Sequence, residues 1–333
     1  MRSIKIGNRV VSEASRTFLV AEIGLNHNGN ISLAKRMIRE ARRAGADAVK
    51  FQVYRTDSFI HPVRAREQFC LLKKYELPFE AVKDLKRFAD REGVIFFASA
   101  FDFESVDLLY RLKAPVMKVA SGEMSNLAFV RYIAGKEWPL FISTGLHDLS
   151  EIERTVREVE KVNKALVLFY CLSEYPLVYE HAGLNGITLF RERFRHLTGF
   201  SDHSDGDLLD IMAVCLGARV IEKHFTLDRK GPGPDHSISL DVRQFKDLAR
   251  HIRITELILG QKEKRLTGRE KAIRKNARKG IYAARAIRKG EKITWSKIKL
   301  LRPEAAAPAS EISRFLNKKA RRSFSVNEPL SFS

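Results

Sequence analysis

Two histidines in this sequence stand beside carboxylates at the ends of apolar runs. His203 follows Asp202, and His224 lies two positions after Glu222. On an extended strand residues two apart share a face, so Glu222 and His224 point the same way. Neutral imidazole with carboxylate suits a divalent metal, and two His ligands leave coordination positions open for a substrate. Two lysines, Lys50 and Lys118, sit inside apolar runs, where a buried ammonium is costly without an anionic partner. Each lysine alone reads equally as a ligand-binding cation or as half of a structural ion pair; the two together imply an anion. Glu22, Gln52, Tyr175 and the hydroxyls of Ser99, Ser121, Ser173 and Ser201 fall at matching positions along the chain. Paired cations with hydroxyl donors are the means by which proteins hold phosphate and carboxylate groups.

These residues share one kind of place. Short β-rich apolar runs at 18–23, 48–53, 94–98, 116–120, 140–143, 166–171, 197–200 and 220–225 alternate with amphipathic stretches. Eight such runs predict a (β/α)8 barrel, whose chemistry sits at the C-terminal ends of its strands. Helices are expected at 32–44, behind the cap Asn30 and before Gly45, and at 104–112, 150–162, 207–216 and 241–259. The apolar pairs flanking Gly7-Asn8 predict a hairpin that plugs the barrel's bottom. Residues 1–260 thus form the barrel with its hairpin, the polar stretch 261–275 reads as a linker, and 276–333 as a small module with short strands at 280–286, 290–294 and 298–301.

Bland readings stand beside several of these residues. Ser143-Thr144-Gly145 also reads as a strand-ending turn, Cys171 and Cys215 as core residues, and His27, His61, His147, His181, His196 and His251 as surface or hydrogen-bonding side chains. Composition narrows the class further. The chain has 333 residues, 44% of them hydrophobic and 30% charged, and a formal net charge of +20. This is an ordinary globular balance with no run long enough for a membrane span. Three scattered cysteines support neither a disulfide framework nor a zinc knuckle, and no signal peptide is visible, so a cytoplasmic location is expected. Residues 261–333 hold 21 Lys and Arg against 6 Asp and Glu. That basic stretch raises nucleic-acid binding as an alternative, with Arg269, Lys271, Arg274, Lys275, Arg278 and Lys279 clustered. No nucleic-acid motif accompanies the charge, and the field could instead draw an anionic substrate in.

Eight motifs run in one order along the chain: VAEIGLNHNG (20–29), AGADAVKFQ (44–52), KVASGE (118–123), STG (143–145), EYP (174–176), GFSDH (199–203), EKHFT (222–226) and GPD (233–235). Together they resemble the sialic acid synthase family, which condenses phosphoenolpyruvate with an acetamido hexose such as N-acetylmannosamine to give nine-carbon 2-keto acids. The resemblance implies a transferase with a TIM barrel followed by a small antifreeze-like (SAF) domain, working as a domain-swapped homodimer. It also implies residue roles. Lys50, Ser99, Lys118, Ser121, Ser173 and Ser201 would hold phosphoenolpyruvate, and His203 and His224 would bind Mn2+ or Mg2+. Gln52 and Asp235 would face the sugar together with the catalytic residues Glu22 and Tyr175, and Glu222 would lie close to the metal. Glu222 is the first candidate for the base and Glu22 the second. Arg302, in an Arg-Pro pair like that of the family, would reach the acetamido group in the neighbouring subunit. Three departures mark this chain: Ala98-Ser99-Ala100 for the usual STPF, Tyr170-Cys171 for HC, and no asparagine loop between Phe59 and Leu72. The last two are expected near the sugar pocket. A 3-deoxy-heptulosonate synthase, another barrel using this donor, is the enzymatic alternative.

Overall fold

The structure is a computed structural model that describes residues 2–260 and 263–332. It divides into two compact units, with the boundary after Gly260. In the first, β1 (Ser3–Ile6) and β2 (Arg9–Ser12) pair as an antiparallel hairpin. Eight parallel strands then close into a barrel: β3 (Phe18–Gly24), β4 (Ala48–Val53), β5 (Ile95–Ala100), β6 (Met117–Val119), β7 (Leu140–Ser143), β8 (Leu166–Cys171), β9 (Leu197–Asp202) and β10 (Val220–His224), with β10 bonded to β3. The helices around it are α1 (Ile31–Arg43), α2 (Thr56–Phe59), α3 (Arg66–Tyr75), α4 (Phe79–Glu92), α5 (Phe103–Arg111), α6 (Leu127–Ala134), α7 (Leu149–Glu160), α8 (Asn185–Arg193), α9 (Leu208–Leu216) and α10 (Val242–Leu259).

Period-two alternation sorts each strand into two layers. Outward side chains such as Leu19, Ala21, Val49 and Phe51 join the helices in one large apolar cluster. Inward side chains at the strand starts, among them Phe18, Val20, Phe97, Phe141, Phe169 and Val220, fill the barrel's lower half together with Ile4, Ile6 and Val11 of the hairpin. The hairpin therefore plugs the bottom, as expected. Gly199 makes room for this packing, since a Cβ there would come within 2.8 Å of the Phe169 ring. Higher on the same inward face the residue types change to Glu22, Lys50, Ser99, Lys118, Ser201 and Glu222, all buried.

The helices follow local rules. In α1, Asn30 caps the Leu33 amide, and Ala34, Met37, Ile38 and Ala41 line the buried face at helical spacing. Capping boxes open α7 (Asp148 with Glu151) and α10 (Asp241 with Gln244).

The second unit contains α11 (Gly268–Ala277), β11 (Gly280–Ala283) and β12 (Ile298–Leu301), the two strands pairing antiparallel. Its core gathers Ile281, Ile287, Ile293, Phe315, Phe324 and Leu330. The span expected as a linker carries a helix instead, because Thr267 and Glu270 form a capping box at its start; Gln261 and Lys262 lie outside the described residues. The strand expected at 290–294 is an irregular segment with one isolated bridge from Lys292 to Lys319. No described helix is long and apolar enough to cross a membrane.

Candidate active site

Barrel closure brings inward polar residues of three strands onto one carboxylate, and two further strands join the cluster through Lys50. Glu222 of β10 accepts from Lys118 Nζ at 2.9 and 3.1 Å, and its Oε1 also accepts from Ser201 at 3.1 Å and lies 3.2 Å from Lys50 Nζ. Lys50 reaches Ser99 Oγ and Glu22 Oε1, each at 3.2 Å, and Gln52 is 3.5 Å from the same Glu22 oxygen. The strand register explains the convergence: Glu22 stands beside both Lys50 and His224, Ser99 beside Lys118, and Ser201 beside Glu222. The two lysines thus have anionic partners inside the chain, two carboxylates for two ammonium groups. Lys118 also lies over the Phe169 ring, 4.9 Å from its centroid.

The carboxylates are not equivalent. Burial pushes Glu22 up to about 7, the charge of Glu222 adding to the effect while Lys50 opposes it. Burial also acts to raise Glu222, but Lys118 and Lys50 outweigh it and hold that carboxyl down at about 2. Glu22 is therefore poised to exchange a proton near neutrality, whereas Glu222 stays ionised between its lysines.

A second cluster lies at the ends of β6, β7 and β8. The Gly145 amide donates to Ser121 Oγ at 3.1 Å, and Ser121 lies 3.6 Å from the Cys171 sulfur. A Cβ on Gly145 would sit 2.4 Å from Ser173 Oγ and 2.8 Å from Ser121 Oγ, so the missing side chain is what lets both hydroxyls meet there. The STG segment is more than a turn.

A third cluster holds the imidazoles. The His203 and His224 ring centroids are 5.6 Å apart, with the Tyr175 ring tilted against His203 at 4.0 Å between centroids. His203 Nδ1 is bonded to the Leu172 carbonyl at 2.7 Å, which leaves Nε2 for other use. His224 Nδ1 is buried without a hydrogen-bond partner, and Asp235 Oδ2 lies 3.8 Å from it. Burial lowers both imidazoles, His203 to about 4 and His224 to about 3, so both are neutral at pH 7. Among the described residues no three His, Cys, Asp or Glu side chains form a ready metal cage. Glu22 Oε2 and Ser143 Oγ are further buried atoms with no hydrogen-bond partner among the described residues, the kind of orphan that a bound ligand satisfies.

Several expectations change. Asp202 does not share a face with His203; it turns outward to Lys223, a buried lysine that sequence reasoning passed over. The argument that singled out Lys50 and Lys118, an ammonium inside an apolar strand, applies equally to Lys223. Tyr170 points away from the barrel interior: its hydroxyl donates to the Ala182 and Gly183 carbonyls and its ring packs on Phe190. Cys215 is exposed rather than in the core, while Cys171 is buried. Arg302 belongs to the second unit, where it is exposed at the end of β12. Asp235 is brought to the imidazoles by the loop after β10, its Oδ2 3.5 Å from the Leu25 amide.

Comparison with known proteins gives the family. Residues 37–264 match the NeuB family model and residues 278–333 the SAF domain model. The chain is 36% identical to N,N'-diacetyllegionaminic acid synthase of Legionella pneumophila, covering 94% of this chain and 93% of that one. It is 34% identical to pseudaminic acid synthase of Campylobacter jejuni, covering 98% of each. Among solved structures, the N-acetylneuraminic acid (sialic acid) synthetase of Leptospira borgpetersenii in complex with citrate superposes with a TM-score of 0.77 at 31% identity, over 81% of this chain and 94% of that one. A truncated 3-deoxy-D-arabino-heptulosonate 7-phosphate synthase of Thermotoga maritima shares the fold alone, at 14% identity and a TM-score of 0.63. With a barrel of this geometry, a family model over most of it, and relatives at this identity along nearly its whole length, the chain belongs to the NeuB family of sialic acid synthases, which are condensing transferases, and ends in an SAF domain.

Proposed function

We propose that this chain condenses phosphoenolpyruvate with an acetamido hexose, such as N-acetylmannosamine or a diacetamido sugar, and water, giving a nine-carbon 2-keto acid and phosphate. The observation that carries the reading is the meeting of Lys50, Lys118, Ser99 and Ser201 around Glu222, next to the hydroxyl pair at Gly145. Two ammonium groups and four hydroxyls match a donor with one phosphate and one carboxylate. Held there, the nucleophilic methylene carbon is presented to the sugar aldehyde in a fixed approach, the entropic part of the barrier being met on binding.

The carbon–carbon bond forms from the methylene carbon of phosphoenolpyruvate to the aldehyde carbon, whose oxygen takes a proton. Water then adds to the adjacent phosphate-bearing carbon, giving up a proton, and phosphate leaves with C–O cleavage as that carbon becomes the keto group. Glu22 is the better group to move these protons: it is poised near 7, while Glu222 is committed to its lysines. The order expected from sequence, Glu222 before Glu22, is thereby reversed in this proposal. Tyr175, Gln52 and Asp235 line the side on which the sugar would lie.

The residues present fit a divalent ion. His224 offers a buried, unpartnered nitrogen, and His203 is fixed by the Leu172 carbonyl with its other nitrogen free. Such an ion, Mn2+ or Mg2+, supplies Lewis-acid polarisation of the aldehyde oxygen when bound. Arg302 would contact the acetamido group from the partner subunit of a homodimer.

Mass spectrometry after incubation with phosphoenolpyruvate, Mn2+ and a panel of acetamido and diacetamido hexoses tests the reading. A nine-carbon keto acid with stoichiometric phosphate is expected. Turnover of erythrose 4-phosphate with none of these hexoses would overturn it in favour of a heptulosonate synthase.

A further inference from the structure

Lys223 lies between the two inward residues Glu222 and His224, so on a strand it must face outward. Its side chain is 0% exposed. It forms a charged hydrogen bond to Asp202 of β9, donates to the Ser204 carbonyl at 2.7 Å, and lies 3.7 Å from Asp210 of α9. Asp202 in turn accepts from the Ser204 amide and hydroxyl, both at 2.9 Å. The residues immediately before and after His203 are therefore tied to the residue immediately before His224, and Lys223 and Asp202 are register partners on adjacent strands.

We propose that Lys223, with Asp202 and Ser204, is a positioning residue that sets the spacing of His203 and His224 as a ligand pair for a divalent cation. The inference rests on the metal reading given above. Two observations single out this role. A buried ion pair is a poor source of stability compared with apolar packing, but it is directional. And His224 Nδ1, unlike His203 Nδ1, has no hydrogen-bond partner among the described residues, so the placement of this ring depends on the backbone that Lys223 anchors. Outer partners of this kind change metal affinity by roughly 10- to 100-fold when removed.

The test is Mn2+ binding to the full-length protein without substrates, read from the electron paramagnetic resonance signal of the free ion. Wild type, Lys223→Met, and Lys223→Met combined with Asp202→Asn are compared, with circular dichroism and thermal unfolding in parallel. The double variant removes both charges instead of leaving one unpaired, so it carries the test if the single variant fails to fold. A folded double variant with Mn2+ affinity reduced about 10- to 100-fold is expected. A folded double variant that binds Mn2+ as wild type does would overturn the inference. If His203→Ala and His224→Ala also leave Mn2+ binding unchanged, the metal reading itself falls.

Discussion

Replacing Gly145 by alanine is a small change with a worked consequence. The added Cβ would stand 2.4 Å from Ser173 Oγ, 2.8 Å from Ser121 Oγ and 3.2 Å from the Ser173 amide nitrogen. The backbone amide can yield by a few tenths of an ångström, but both hydroxyls must swing away, Ser173 by about 1 Å, to recover ordinary contact. Each hydroxyl that loses a charged phosphate or carboxylate partner costs about 1.5–3 kcal/mol, about 10- to 150-fold, so displacing both predicts a loss of about 10²- to 10⁴-fold in kcat/KM for phosphoenolpyruvate. Continuous phosphate release against donor concentration measures this, with urea unfolding to show that the barrel is intact. Displacement also predicts strong non-additivity: Ser121→Ala with Ser173→Ala should cost much less in the Gly145→Ala background than in wild type. A Gly145→Ala enzyme with unchanged kcat/KM would refute the view that these hydroxyls hold the donor.

Glu22→Gln should lower kcat by about 10²- to 10⁴-fold, as loss of a general acid–base does, with unfolding free energy nearly unchanged. Glu222→Gln should instead cost about 3–5 kcal/mol in urea unfolding, because it strips the shared anion from two buried lysines. Chelation with excess EDTA should abolish turnover of the wild type and added Mn2+ should restore it, while His203→Ala and His224→Ala stay inactive with native circular dichroism; full activity in EDTA would contradict the metal role. Asp202→Asn should destabilise by about 3–5 kcal/mol, since it leaves Lys223 buried without its close partner. Burial and the charge of Asp202 push Asp210 well above the usual carboxylate range, so Asp210→Asn should cost less in urea unfolding than Asp202→Asn.

The barrel was legible because its strands announce themselves. The runs expected at 48–53, 140–143 and 166–171 coincide with β4, β7 and β8, and the other five differ by no more than two residues at either end. Helices with a clear cap and apolar stripe, α1 and α10, were equally plain. Of those left out, α8 buries only Ile187 and Phe190 and has no side-chain cap, and α3 buries only Leu72 and Tyr75; α4, with Ala81, Val82, Leu85 and Ala89 on one face and Gly93 at its end, and α6, capped by Asn126, carried signals that went unused. The signal for α11 was present in Thr267-Gly-Arg-Glu270, but the surrounding charge made the span read as a linker.

Which residues reach the candidate site was legible from strand ends; which way each side chain faces was legible only where the period-two rule was applied. That rule places Asp202 opposite His203 and Tyr170 opposite Cys171, and both outcomes follow from it. What sequence could not supply is distance. The shared role of Glu222 depends on closure of β10 against both β3 and β9, a contact between residues some two hundred positions apart.

That shared role accounts for how two buried cations persist side by side. Lys118 and Lys50 lie 2.9 and 3.2 Å from the same Glu222 oxygen. Their nitrogens are thus no more than about 6 Å apart, a separation at which two unit charges repel by roughly 3 kcal/mol at an effective dielectric constant near 20. Glu222 offsets this repulsion before any substrate arrives, and the Ser201 hydroxyl fixes the carboxylate. The site is consequently organised in advance: the lysines need not be drawn together by the donor, and an arriving phosphate meets hydrogen-bond donors already aimed. Glu22, bonded only to Lys50 and Gln52 and lacking a partner on its second oxygen, is the one carboxylate in the group left free to change charge. The division of labour follows from the number of cations each glutamate touches. In the proposed reaction, the anion gripped by two lysines holds the geometry, and the one gripped by a single lysine would handle the proton.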